Sequence, residues 1–491
     1  MNTSPIFSKT FRHYFFQHFG RPLALTLSIA AASASWALSA AVEQFVKWET
    51  EGNAVSRRSS KVFAIGHYEV PLSLVQQDFA SYLDPAVKSA LIFKKDGIDY
   101  VRWIINPEDT KWHKAIEKLL LDNGLDATQH TYFSAYLTAS RSIILEDPSS
   151  HAQFSAKVST NQTGGMWKDK KQPIDDAEQV RMVSDFVHDT SAKTNFDRLI
   201  IEDDPLEMGI KEVDQALLVR SLADLPTGDH YYLPGFSAVH EKVGAEIARL
   251  NGSANPAEFW NEHYNKPLAE AVAEFAAHFG ITYDSPHSQN FLVELDKNMK
   301  PTGKIVFRDF GDSYAQGEWF KALGRDAFLK RWEAGNITTG YLDVAIGPLH
   351  GNSPPSWLSE AQYKQWGVDF YKAFDEKFSQ MTGIPVSELS AGRISYQSPF
   401  SYFSKNYSTQ SASWKRYLSM AKCFAGSPVT ADGTPCPEYL VAKLKQSHPS
   451  ESPSAAASNV IKMITKEKEP IGSVGASPNC GTDVAKFLGR L

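Results

Sequence analysis

Apolar and polar positions change period along the chain, and the first clear change comes near residue 131. Between residues 43 and 125 helical and extended signals mix. Within that stretch Lys111 to Leu121 (KWHKAIEKLLL) repeats its apolar residues at helical spacing, and Asn123-Gly124 ends it. From Thr131 the segments TYFSAYLTASRSIILE and HAQFSAKVSTN alternate apolar with small or polar residues, as antiparallel strands do. Asp147-Pro148-Ser149-Ser150 supplies the turn between them. Ile174 to Val187 reads as a helix whose first turns carry Asp175, Asp176 and Glu178, the sign of charge that complements its dipole. RLIIE at 198–202 reads as a strand. Pro256 to Phe279 is strongly helical, with Leu268, Val272, Phe275 and Phe279 on one face and Gly280 as the stop. Two apolar runs joined by a turn follow, between Phe279 and Asp312, and predict a hairpin. Residues 317–445 read as mostly helical, with Trp319, Trp332, Trp366 and Tyr371 on apolar faces. No internal repeat is found.

These elements predict an α+β protein with a strand-rich lobe and a helix-rich lobe around a cleft. The expected divisions are 1–40 as a targeting segment, 43–255 as a mixed and strand-rich region, and 256–446 as the helix-rich lobe carrying the hairpin. The stretch 447–491, with SHPSESPSAAAS, is expected to be a mobile tail.

The amino terminus differs from the rest. Lys9, Arg12 and Arg21 precede an uncharged run from Pro22 to Val42, and Ala37 and Ser39 are spaced for signal peptidase. The pattern predicts a secretory signal peptide and an exported protein, periplasmic or secreted. An uncleaved anchor or a soluble amphipathic extension is the alternative, with a cytoplasmic location if the signal is not real. Membrane contact is expected through this segment alone.

Composition adds limits. The 491 residues are 42% hydrophobic and 22% charged, an ordinary globular balance with room for several cores. A net charge of −6 gives no argument for nucleic-acid binding, and no nucleic-acid partner is expected. Of three cysteines, Cys423 and Cys436 enclose a Gly- and Pro-rich loop that a disulfide could close, and Cys480 is left over. The sequence holds no G-x-S-x-G elbow, H-E-x-x-H helix or Walker lysine motif.

The predicted hairpin concentrates the candidate chemistry. His287, Gln289 and Asn290 stand before its first apolar run, and Arg308 and Asp309 close the second. Asn290 and Asp309 offer the hard oxygens that Mg2+ takes beside phosphate. His287 and Arg308 offer donors against charge growing on a phosphate. H-x-x-N followed by Asp309-Phe310-Gly311 shares its outline with kinases, but the catalytic Asp expected five residues before Asn290 is Ser285, with Asp284 one residue early. An ordinary hairpin with capping polar residues is the plain alternative.

The pattern FGI-x-x-D-x-x-H-S-Q-N, then a strand, a turn and V-F-R-D-F-G, resembles the siderophore synthetases that work independently of nonribosomal peptide synthetases, the aerobactin synthetase family. That family carries yGI-x-x-E-x-H-x-Q-N and a strand ending in RD. Gln289 separates the pattern from that of kinases, and Trp260 and Tyr264 ahead of the hairpin fit the family layout. TASRSI (138–143) followed by FSAKVSTNQTGG (154–165) is similar to the family's S-x-R-T element and lysine strand. The resemblance spans roughly residues 130–320. Departures are Ala139 with Ser140 beside it, Ser285 at the acidic position, a missing histidine- and proline-containing motif, and a shorter chain.

The resemblance implies an ATP- and Mg2+-dependent ligase that adenylates a carboxylate, citrate in much of the family, and passes it to an amine or hydroxyl. It implies that Lys157, Arg141 and Arg308 hold phosphates, with Ser142 facing them, and that His287 contacts the nucleotide. Asn290 and Asp309 would hold magnesium, and Gln289 would recognise adenine or position the hairpin. Partners would be small-molecule substrates, and a homodimer is allowed. Two other readings stay open: a kinase-like phospho- or nucleotidyl-transferase, with a Lys157–Glu178 pair, and an exported non-catalytic protein that binds a ligand such as an iron chelate. Lys168, Lys170 and Lys171 beside Gly164-Gly165 form either an anion-binding loop or a solvated turn.

Overall fold

Alternation through Thr131–Lys157 produces three consecutive antiparallel strands, and these seed the larger sheet. The computed structural model describes residues 38–53, 58–138, 140–163, 168–283, 287–311, 313–332, 334–339, 342–349, 353–397, 401–406 and 411–445. All belong to one unit, Ala37–Leu491. Its first strands are β1 (Phe63–Pro71), β2 (Gln76–Phe79), β3 (Ile92–Lys95), β4 (Ile98–Ile104) and β5 (His130–Leu137). Next come β6 (Ser142–Glu146), β7 (Gln153–Lys157), β8 (Leu199–Ile201), β9 (Leu206–Ile210) and β10 (Gln215–Arg220). Nine of these form one sheet in the order β2-β9-β10-β7-β6-β5-β1-β4-β3. Phe133, Ile143, Leu145, Phe154, Ala156, Leu217 and Val219 fill one face of it, with Phe133 edge-on to Phe154 at 5.8 Å. The helix expected near residue 111 runs His113–Asp122, and Leu120 and Ile116 bury against this core.

The remaining strands are β11 (Tyr231–Pro234), β12 (Ile281–Tyr283), β13 (Phe291–Leu295), β14 (Pro301–Phe307), β15 (Ser313–Gln316), β16 (Ile337–Thr338), β17 (Leu342–Ile346), β18 (Arg393–Gln397) and β19 (Tyr402–Asn406). The hairpin is real: β13 and β14 pair antiparallel, with Phe291 opposite Phe307. They lie inside a second sheet, β11-β13-β14-β8, in which β8 runs parallel to β14. This sheet therefore draws strands from both sides of residue 255. Strand alternation assigns its two faces. Phe291, Val293, Leu295, Ile305 and Phe307 face the helix Lys266–Phe279, where Phe275 meets Phe307 at 5.4 Å. Leu292 and Val306 face the helix Ala40–Glu51 through Val42, Phe45 and Val46.

Helix Lys266–Phe279 buries Leu268, Val272, Phe275 and Phe279 as its period requires. Gly280 ends it at φ +61°, and a Cβ there would stand 2.4 Å from the Trp319 ring. Helix Ile174–Ser191 has Asp175 and Asp176 in its first turn, and Asp214 rather than either of them accepts from the Ile174 N–H. Trp319, Trp332 and Trp366 are buried as expected. Between 317 and 445 the chain is mainly helical, yet it also contains the sheet β17-β19-β18. These strands are five residues each, too short for alternation to stand out between longer helices.

Cys423 and Cys436 are joined, with Cα atoms 5.7 Å apart. Residues 1–37, Cys480 and the tail from 446 lie outside the described residues. The end of the amino-terminal apolar run is inside them, where Leu38, Ala41 and Val42 are buried and Ser39 caps the helix Ala40–Glu51. No helix among the described residues is long and apolar enough to cross a membrane.

Candidate active site

The end of the hairpin is fixed first by its own main chain. Arg308 N–H donates to the Asn290 carbonyl at 3.2 Å, so the two polar ends sit side by side. The Arg308 guanidinium turns inward, donating through Nε to the Gln289 carbonyl at 2.9 Å and pairing with the buried Glu49 carboxylate. Asp309 follows at φ +68°, in the left-handed region that Asp tolerates better than most side chains. That turn presents the Asp309 carboxylate to the larger sheet. Lys157 Nζ donates to it at 2.9 Å, and Arg220 Nη2 lies 3.5 Å away.

Register explains why these two cations meet it. Leu218 of β10 pairs with Lys157 of β7, and Arg220 pairs with Ser155, so Lys157 and Arg220 project from one face. Ser142 of β6 lies directly opposite Lys157. Arg141, one residue earlier, is tied to the Lys171 carbonyl, and its charge is felt at Asp309. Ser140 stands at φ +59°, with its carbonyl accepting from Arg58 at 2.8 Å and its hydroxyl from Lys170 at 3.3 Å. Two left-handed non-glycine residues thus flank one basic cluster.

Buried acids complete the site. Asp204 is 0% exposed and takes Arg220 Nε at 3.0 Å; burial pushes its carboxyl up despite that cation. Glu202 is 1% exposed, and burial raises it to about 7 against the pull of Arg308 and Arg220. Burial also opposes ionisation of Asp309, but Lys157 and Arg220 outweigh it and hold that carboxyl well below the usual carboxylate range. While Glu202 keeps its proton, Lys157, Arg141 and Arg220 outnumber Asp204 and Asp309, and the surplus charge suits an anion.

The residues named from the sequence therefore divide. Arg141, Ser142, Lys157 and Asp309 come together. Arg308 is committed to Glu49 and the Gln289 carbonyl. Asn290 is buried, while Gln289 and His287 are half-buried, with His287 in a parallel bridge to Gly347. Asp284, Ser285, Ala139 and Gly164-Gly165 lie outside the described residues. A kinase-like Lys157–Glu178 pair does not form. Lys157 is taken by Asp309, and Glu178 accepts from Gln76 at 3.1 Å.

A divalent cation alone fits poorly between Asn290 and Asp309, because it would meet the charges of Lys157 and Arg220. One arriving with phosphate oxygens would bring negative charge to offset those cations. Sequence reasoning missed Glu49, Glu202, Asp204 and Arg220. Arg220 and Glu202 end apolar runs as Arg308 does, which is a usable signal; Glu49 carries none.

No protein-family profile matches the sequence, and no curated protein does. Solved structures do. The petrobactin biosynthesis protein AsbB from Bacillus anthracis aligns over 74% of this chain and 75% of its own, at 10% identity and TM-score 0.52. ATP-bound aerobactin synthetase IucA from Klebsiella pneumoniae aligns over 71% and 70%, at 12% identity and TM-score 0.45. Another IucA structure aligns over 57% of this chain and only 54% of its own, at 13% identity and TM-score 0.40. The AsbB match shows a shared α+β fold, that of a siderophore-biosynthesis protein.

Proposed function

We propose that the protein is an ATP- and Mg2+-dependent ligase that adenylates a carboxylic acid and transfers the acyl group to an amine or hydroxyl. The observation that carries this reading is the surplus of cations where Lys157, Arg141 and Arg220 surround Asp309, on a fold shared with a siderophore-biosynthesis protein.

In the first step a carboxylate oxygen of the substrate bonds to the α-phosphorus of ATP and the bond to pyrophosphate breaks. Lys157 and Arg141 meet the charge that grows on the phosphate oxygens. Lys157 can do so because an incoming phosphate competes with Asp309 for its ammonium. Magnesium, held by Asp309 and Asn290 together with phosphate oxygens, would supply further charge neutralisation. In the second step the amine or hydroxyl attacks the acyl carbon, gives up its proton, and AMP leaves. Arg308 positions the hairpin end by holding the Gln289 carbonyl and Glu49. His287 and Gln289, beside it, would meet the nucleotide.

Carboxylate-dependent exchange of labelled pyrophosphate into ATP, measured on the full chain with a panel of di- and tricarboxylates, tests this. Exchange supports adenylation, and transfer of the γ-phosphate without exchange would sink it in favour of a kinase-like transferase. The disulfide between Cys423 and Cys436 favours a second reading, because such bonds persist in oxidising compartments where ATP is scarce. In that reading the protein is an exported binder that uses the same cations for a carboxylate-rich ligand. Calorimetry showing no Mg2+-dependent ATP binding would select it.

A further inference from the structure

At the opposite end of β13 from Asn290, a second group of side chains converges. Asp224, His230 and Glu294 each bring one donor atom to within 4.8 Å of the other two. His230 Nδ1 lies 2.8 Å from Asp224 Oδ2 and 4.0 Å from Glu294 Oε2. Two metal bonds of about 2.0 Å at a tetrahedral angle set their donors about 3.3 Å apart, between those two separations.

The carboxylates are held from behind. Tyr232 is 1% exposed, packs in the core beneath the helix Ala40–Glu51, and donates its hydroxyl to Asp224. Tyr232 is also the register partner of Glu294. Thr302 donates to Glu294 Oε1 at 2.7 Å, which leaves Oε2 directed at His230. Glu294 is only 6% exposed, and its Oε2 lies 4.0 Å from that ring. The neighbouring ammonium of Lys297 is engaged elsewhere, with Asp229 at 3.0 Å. Two carboxylates therefore face one imidazole, with each carboxylate oriented by an outer hydroxyl, as metal ligands are.

We propose that Asp224, His230 and Glu294 form a three-ligand site for a divalent transition-metal ion such as Zn2+, separate from the proposed nucleotide site. Glu294 is four residues along β13 from Asn290, about 13 Å at strand rise. The imidazole selects against Mg2+ and Ca2+, which take oxygen donors.

Calorimetric titration of chelator-treated, untagged full-length protein with Zn2+ tests the site. One Zn2+ per chain is expected, undisturbed by millimolar Mg2+, with affinity at least tenfold weaker in His230→Ala and in Glu294→Gln. Lys297→Ala keeps all three donors and should bind as the native protein does. Absence of binding by the native chain, or equal binding by both ligand variants, overturns the proposal. Should either variant fail to fold, Co2+ absorption of the native protein decides: visible bands of a nitrogen- and oxygen-ligated ion are expected, and their absence overturns it. None of these readouts depends on adenylation, so this proposal and the ligase reading fail separately.

Discussion

Lys157 and Asp309 lie 152 positions apart in the chain, yet the ammonium donates to the carboxylate at 2.9 Å. Lys157→Ala should lower pyrophosphate exchange at least a hundredfold while the melting temperature changes little, since Arg220 still faces Asp309 at 3.5 Å. Exchange assays and thermal melts on the same preparation check both halves. Glu202 gives a prediction about stability and pH. Its carboxyl is raised from 4.5 to about 7 in the folded protein, so the native state keeps a proton that the unfolded chain has released. The contribution of Glu202 to stability is therefore greatest below about pH 4.5 and falls as pH rises toward 7. Glu202→Gln removes this dependence, and urea unfolding should show the variant gaining on the native protein by up to about 3 kcal/mol between pH 5 and pH 8. At this scale the sequence is partly legible. Strand alternation puts Lys157 and Ser142 on facing strands, but which carboxylate meets Lys157 depends on tertiary contacts. Glu49 and Arg308, 259 positions apart, leave no local trace of their pairing.

Elements show the complementary pattern. Helix Lys266–Phe279 is legible because its apolar period, its final Gly280 and its buried aromatic face agree. Gly280→Ala should cost at least 1 kcal/mol, through the left-handed φ and the contact with Trp319, and a shift in the urea midpoint would measure it. The strands β17, β18 and β19 were hidden by brevity and by the long helix Glu360–Thr382 that separates two of them. The Cys423–Cys436 bond spans 13 positions and pins a segment against the buried face of Phe424 and His278. Cys436→Ser, or reduction, should lower stability by about 3 kcal/mol, read as a reductant-sensitive melting temperature. The same treatment should leave Cys436→Ser itself unaffected.

On the scale of the whole molecule, the second sheet joins β8 and β11 to a hairpin from much later in the chain. Hydrophobic period found the hairpin but not its neighbours, because parallel pairing of β8 with β14 has no turn to announce it. We propose export as the destination, on the amino-terminal pattern together with the disulfide. Fractionation with amino-terminal sequencing should find the mature chain outside the cytoplasm and beginning near Ala40; a cytoplasmic protein with intact Met1 would refute it. The ion pair of Glu49 with Arg308 then has a consequence in time. A ribosome adding about 5–20 residues each second needs on the order of tens of seconds to travel from one partner to the other. Throughout that interval the helix Ala40–Glu51 lacks its counter-charge and the complete β13–β14 hairpin it packs against. The newborn amino-terminal region is thus kept from its final packing by the order of synthesis itself, and any factor that must engage an unfolded chain has that long to do so.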